Sequence, residues 1–242
     1  MNLDIVQNGK TRSRVLIKEG ELFLLPAGIP HSPQRYANTI GLVLERTRSA
    51  NEIDCLRWYK GESCEIEYEE YFHCKDLGTQ VKAVIENYFK HTSDPNSPTI
   101  KVDPKFDLMK QALLCLRNES NLRTTFSFNN EIQSFINCNK KDNRVLFDGE
   151  FRMTLVSGHS PSNFYEELQF VKEKSTKQTG PCSKQIFLWQ IRGKSNLRNS
   201  RIDINLESGD INIYEIEINN IDDISFSAES HSCIVLISNR NV

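Results

Sequence analysis

The run Gly20-Glu21-Leu22-Phe23-Leu24-Leu25-Pro26-Ala27-Gly28-Ile29-Pro30-His31-Ser32-Pro33-Gln34-Arg35 restricts the fold more than any other stretch of the chain. Gly20 is a turn residue, Leu22 to Leu25 make a short apolar run suited to a strand buried on both faces, and Pro26, Gly28, Pro30 and Pro33 stiffen the return. So stiff a backbone gives the ring of His31 a fixed direction, which a metal ligand requires. The same pattern also suits a histidine that merely caps a strand end in an ordinary β-sandwich.

Around Gln7-Asn8-Gly9-Lys10, residues 3–6 and 14–17 alternate apolar and polar side chains, and Asn8-Gly9 predicts a hairpin turn between them. Residues 40–46, 53–59 and 64–72 read as further strands, with Trp58, Tyr59, Tyr68, Tyr71 and Phe72 filling a core rather than forming a platform for a ligand. From Asp76 the period changes: Leu77, Val81, Val84, Ile85, Tyr88 and Phe89 fall at helical spacing, and the pattern stops before Ser93-Asp94-Pro95-Asn96-Ser97-Pro98. A short helix is predicted from Ser127, with Glu131 in its first turn and Ile132, Phe135 and Ile136 as its buried stripe. Strands return at 151–156, 185–191, 201–206, 211–218 and 233–237, with Ser208-Gly209-Asp210 as a tight turn. The expected organisation is a first domain over 1–100, a linker over 101–117 and a second domain over 118–242.

The net charge of −2, with both signs interspersed, argues against a nucleic-acid partner. Seven cysteines, odd in number and without a C-x2-C pair, read as free thiols in a reducing cytosol rather than as a zinc site or a disulfide framework. Met1-Asn2-Leu3-Asp4 has neither a basic nor an apolar leader region, and no apolar run approaches a membrane span. A cytoplasmic protein is expected.

The spacing G-x5-P-x-G-x2-H-x3-polar within Gly20 to Arg35 is similar to the second metal-site motif of cupin barrels. The longer run to Arg46, with Ala37-Asn38-Thr39 and Gly41-Leu42-Val43-Leu44-Glu45-Arg46, resembles the 3-hydroxyanthranilate 3,4-dioxygenase family. The block Tyr71-Phe72-His73-Cys74-Lys75-Asp76-Leu77-Gly78-Thr79-Gln80 resembles the same family in the same order. The likeness is close over 1–90, faint to about 145, and weak beyond apart from Phe187-Leu188-Trp189-Gln190-Ile191.

This resemblance implies an all-β fold of two cupin (double-stranded β-helix) barrels, the second degenerate, joined by a helix and linker. It implies Fe(2+) held by two histidines and a glutamate, an open face for substrate and O2, and ring opening of 3-hydroxyanthranilate to 2-amino-3-carboxymuconate semialdehyde, which cyclises to quinolinate on the kynurenine route to NAD. It further implies a monomer with neither nucleic-acid nor membrane partner. The family's first histidine and its glutamate ligand lie on strands that precede this motif. The first barrel is therefore expected to be incomplete at its N-terminus, with His31 as its one remaining ligand, and the chain as it stands to be inactive. The competing expectation is a non-catalytic small-molecule-binding or scaffolding bicupin.

By the same resemblance, Arg35 offers its planar guanidinium to the substrate carboxylate, where its other reading is a surface arginine. Strand alternation over Gly41 to Arg46 puts Gly41, Val43 and Glu45 on one face. If that face points inward, Glu45 is a buried carboxylate, and the family uses the matching glutamate to contact substrate and handle a proton. The alternative is a solvent-facing Glu45 beside Arg46. His73 and Cys74, adjacent on a strand, point to opposite faces and do not share an ion. His159 and His231 stand in polar surroundings with no third ligand, so no second metal site is expected.

Overall fold

The computed structural model describes residues 1–46, 48–94, 96, 100–101, 124–138, 142–148, 151–159, 161–173 and 183–239. They form two compact units, Met1–Phe128 and Asn129–Val242. Apart from Lys101, the stretch expected to be a linker lies outside the described residues.

In the first unit, β1 (Asn2–Gln7) and β2 (Thr11–Leu16) form a hairpin in register from Asn2 with Leu16 to Gln7 with Thr11. Asn8 and Gly9 turn it at φ 49° and 65°, the pair of positive angles for which Asn-Gly is favoured. A two-residue β3 (Glu21–Leu22) leads to β4 (His31–Gln34), which pairs with the other edge of β1 to give the order β2-β1-β4. Alternation along β1 buries Leu3 and Ile5 with Ile29, and Val15, Ile17, Phe23 and Leu25 pack against them.

Further along, β5 (Asp54–Tyr59) and β6 (Ile66–Phe72) make an antiparallel ribbon, with β7 (Ile100–Lys101) parallel to β6. The short β8 (Phe126–Ser127) returns to pair with β3.

Two strand expectations fail here. Leu22 to Leu25 is not a fully buried strand: only Leu22 joins a ladder, and all four residues are half-buried. Pro26 and Pro30, which lack amide donors, bring the chain out of the sheet. Residues 40–46 form no strand either, and Ile40, Leu42 and Val43 are exposed. The apolar alternation was read as strand, but β-propensity expresses packing against a neighbour, and no neighbouring strand lies beside this segment among the described residues.

The helix α1 (Leu77–Thr92) covers one face of the β5–β6 ribbon. Trp58 stacks on Tyr88 at 4.3 Å and Tyr68, fully buried, meets both rings. Tyr68 donates to Glu70, which also accepts from Asn87 at 3.0 Å. Asp76 caps the helix, accepting from the amides of Gly78 at 3.2 Å and Thr79 at 3.1 Å. Asp76→Ala should cost about 1 kcal/mol of stability, read as a lower urea midpoint at unchanged slope. An unaltered midpoint would show that the cap contributes nothing.

On the opposite face of the ribbon, Arg57 and Glu69 form an ion pair, with Nε donating to the carboxylate at 2.6 Å and Tyr71 donating to its other oxygen at 3.1 Å. Their side chains are 8% and 4% exposed, so this pair is buried.

The second unit opens with α2 (Phe128–Asn137), which buries Ile132 and Phe135 as its periodicity requires, Ile136 being half-buried. Next come β9 (Arg144–Asp148), β10 (Phe151–Ser157), α3 (Pro161–Glu173), β11 (Ser183–Arg192), β12 (Ser195–Arg198) and β13 (Asp203–Leu206). The chain continues through β14 (Ile211–Glu217), a 3-10 segment (Ile218–Asp223), β15 (Ser225–Ala228) and β16 (Cys233–Asn239). A five-stranded sheet of order β14-β11-β16-β10-β9 and a three-stranded sheet of order β13-β12-β15 result.

Both sheets contribute to one core: Ile186, Leu188 and Ile234 from the larger, Leu197, Leu206 and Phe226 from the smaller. α3 adds Phe164, stacked on Phe226 at 4.0 Å, and Leu168. The fold class of the whole chain is all-β, as expected. No helix among the described residues is long and apolar enough to cross a membrane.

Candidate functional site

His31 begins β4 in register with Ile5, and cross-strand partners share a face, so it projects on the side that carries Leu3 and Ile5. It is exposed. Its Nδ1 lies 2.9 Å from the carbonyl oxygen of Ile29. A carbonyl only accepts, so Nδ1 carries the proton and Nε2 keeps its lone pair for a ligand. The proline-rich return therefore fixes both the direction and the tautomer of this ring.

Arg35 follows β4 and is exposed. Its Nη1 lies 3.5 Å from where a Cβ on Gly41 would stand, so the guanidinium rests close to the backbone there. This contact brings the end of β4 to the start of the segment that carries Glu45.

Glu45 is not the buried carboxylate expected for an inward-facing strand. It is exposed, and its Oε2 accepts from Nη2 of Arg48 at 3.2 Å. Without a ladder, alternation has nothing to orient it. Arg46 pairs with Glu52 instead, donating to Oε2 at 2.6 Å.

The segment from Glu45 to Asp54 is a polar clasp that the sequence reading missed. Arg48 donates from Nε to both oxygens of Asp54, at 3.1 and 3.0 Å, from Nη2 to Oδ1 at 2.9 Å, and from Nη1 to the Arg46 carbonyl at 2.9 Å. The hydrogen bond to Asp54 raises the Arg48 pKa, against burial. The hydrogen bond from Arg46 holds Glu52 down to about 2, again against burial, and the Ser49 amide adds to it. A carboxylate with a depressed pKa stabilises the fold above its ordinary value of 4.5 and loses that contribution as the pH falls toward about 2. The clasp should thus hold at neutral pH and loosen in acid. The signal was legible as alternating charge over Glu45, Arg46, Arg48, Glu52 and Asp54.

Among the described residues, no three His, Cys, Asp or Glu side chains converge as a metal site. His31 stands there as a single ligand, which does not by itself fit an iron centre. His73 places Nδ1 2.7 Å from the Glu52 carbonyl and serves the clasp. The thiol of its neighbour Cys74 is pushed up by burial. His231 pairs with Glu229 at 3.1 Å on the surface of the second unit.

Comparison with known proteins bears on the same stretch. The family model of 3-hydroxyanthranilic acid dioxygenase matches residues 1–89. Proteins named 3-hydroxyanthranilate 3,4-dioxygenase are similar at several depths: that of Bos taurus is 44% identical over 118 residues, 47% of this chain and 41% of its own length. That of Neurospora crassa is 50% identical over 88 residues, 36% of this chain and 48% of its own. That of Xenopus tropicalis is 35% identical over 211 residues, 87% of this chain and 68% of its own. The match thus spans less than half the length of the bovine relative. Among solved structures, a mutant of oxalate decarboxylase from Bacillus subtilis covers all of this chain and 61% of its own at 14% identity, with a TM-score of 0.33.

The Xenopus match runs through both units at an identity that unrelated chains do not sustain, and the family model covers the motif that aims His31. The chain belongs to the 3-hydroxyanthranilate 3,4-dioxygenase family.

Proposed function

We propose that this chain serves the ring-opening dioxygenation of 3-hydroxyanthranilate by O2 with iron(II), His31 giving one ligand through Nε2 and the other ligands coming from outside the described residues. The observation that carries the reading is the lone pair of His31, aimed by its bond to Ile29 within the matched motif. Iron(II), when bound, supplies the redox chemistry with O2. In this reading the protein's own part is to orient the ring. Arg35 binds the substrate carboxylate through a charge-assisted fork, and Glu45 contacts the substrate and holds a proton at its carboxylate. The exposure of both side chains leaves them accessible to a ligand. The same reading gives a catalytic domain over 1–100, a degenerate second domain over 118–242, and a monomer in the cytoplasm.

The test uses a chain extended by the part of the bovine relative that the match leaves out, reconstituted anaerobically with iron(II). Given 3-hydroxyanthranilate and O2, it should generate the absorbance of the semialdehyde above a metal-only control. The 242-residue chain alone is expected not to, since no three His, Cys, Asp or Glu side chains converge among its described residues. No turnover by the extended, iron-loaded chain would end the reading.

In that extended chain, Arg35→Ala should weaken substrate binding by on the order of 2–4 kcal/mol, because a desolvated carboxylate loses its partner, while iron content stays at the unaltered level. An unchanged KM would remove Arg35 from the site.

A further inference from the structure

The segment from Gly41 to Arg46 has no ladder partner among the described residues, yet Glu45 within it accepts a hydrogen bond from Arg48. Arg48 can do this because its guanidinium is itself fixed. Asp54, at the start of β5, takes the Nε side of the fork, and the Arg46 carbonyl takes Nη1. One N–H of Nη2 goes to Asp54 at 2.9 Å, and the other reaches Glu45 at 3.2 Å. A planar fork with its donors committed in this way loses little freedom in holding a carboxylate, which a flexible ammonium would not match. Arg46 makes a different contact: it ties the same loop through Glu52.

We propose that Arg48 is a positioning residue for Glu45: anchored on Asp54, it sets the direction from which the Glu45 carboxylate meets substrate. It acts through Glu45 and touches no substrate itself. This rests on the proposed role of Glu45, and two measurements separate the two ideas.

The first uses the 242-residue chain as it exists. Backbone 15N relaxation of Val43 to Glu45 should shift from order parameters of about 0.85 toward below about 0.6 in Arg48→Gln. Unchanged order in Arg48→Gln would overturn the proposal whatever the enzyme does.

The second uses the extended, iron-loaded chain. Arg48→Gln should lower kcat by on the order of tenfold or more with KM little changed. The double variant Glu45→Gln with Arg48→Gln should be no slower than Glu45→Gln alone. Fully additive losses would overturn the proposal. If the relaxation responds as expected and the unaltered extended chain does not turn over, the proposed reaction fails while the positioning of Glu45 by Arg48 stands.

Discussion

His31→Ala, made in the extended chain, is expected to leave protein that purifies with at least about tenfold less iron than its parent. Loss of a hydrogen-bond partner to a metal-bound histidine alone costs about 10–100-fold in affinity, and removing the ligand itself must cost more. The geometry aims this residue at a ligand: the bond to Ile29 leaves its Nε2 the lone pair, and no three His, Cys, Asp or Glu side chains converge as an alternative site among the described residues. Metal analysis after dialysis reads the result, and circular dichroism checks that the fold persists. Near-stoichiometric iron in the variant would mean that the ring of His31 is a strand cap and nothing more.

The largest stability effect is expected from Glu69→Gln. The substitution leaves the Arg57 guanidinium, whose side chain is 8% exposed, without its charge partner inside the first unit. Breaking a buried pair from one side costs about 3–5 kcal/mol, since the remaining charge stays desolvated. Replacing both partners, as Arg57→Met with Glu69→Leu, should recover much of the loss. Urea unfolding of the single and double variants reads both. A single variant within about 1 kcal/mol of the parent would show that solvent reaches the pair.

Local signals in the sequence were reliable wherever the physics is local. Asn8-Gly9 turned the first hairpin, α1 begins where the period changes after Asp76, and Ser208-Gly209-Asp210 closed a turn, with Gly209 at φ 99° and the Asp210 amide on the Glu207 carbonyl at 2.9 Å. The strands at 53–59, 64–72, 151–156 and 233–237 were read for the same reason, each being a short alternating or apolar run between turn residues.

The failures, the helix α3 excepted, were questions of partnership. Residues 40–46 carry a strand's alternation without a neighbour to pair with, so Glu45 has no inner face to occupy. The helix α3 was overlooked although Phe164, Leu168 and Val171 are spaced for one buried stripe behind an N-terminal Pro161. β12 and β15 are short and polar enough that only the sheets they join make them strands. At the candidate site, the motif named His31 and Arg35, whereas the clasp of Arg48 on Asp54 arises from loop geometry that no spacing rule encodes.

The placement of β4 has a consequence for how this protein behaves in a crowded solution. Among the described residues it is an edge strand, all four of its residues are exposed, and such an edge is a template on which another chain can add a strand and start an aggregate. Pro33 sits in the middle of it, paired with Leu3, and Pro30 stands just ahead. Proline has no amide to donate, so an incoming strand finds the edge interrupted. The rigid residues that direct the imidazole thus also guard the sheet against self-association, and Pro33→Ala should trade that protection for a stickier surface.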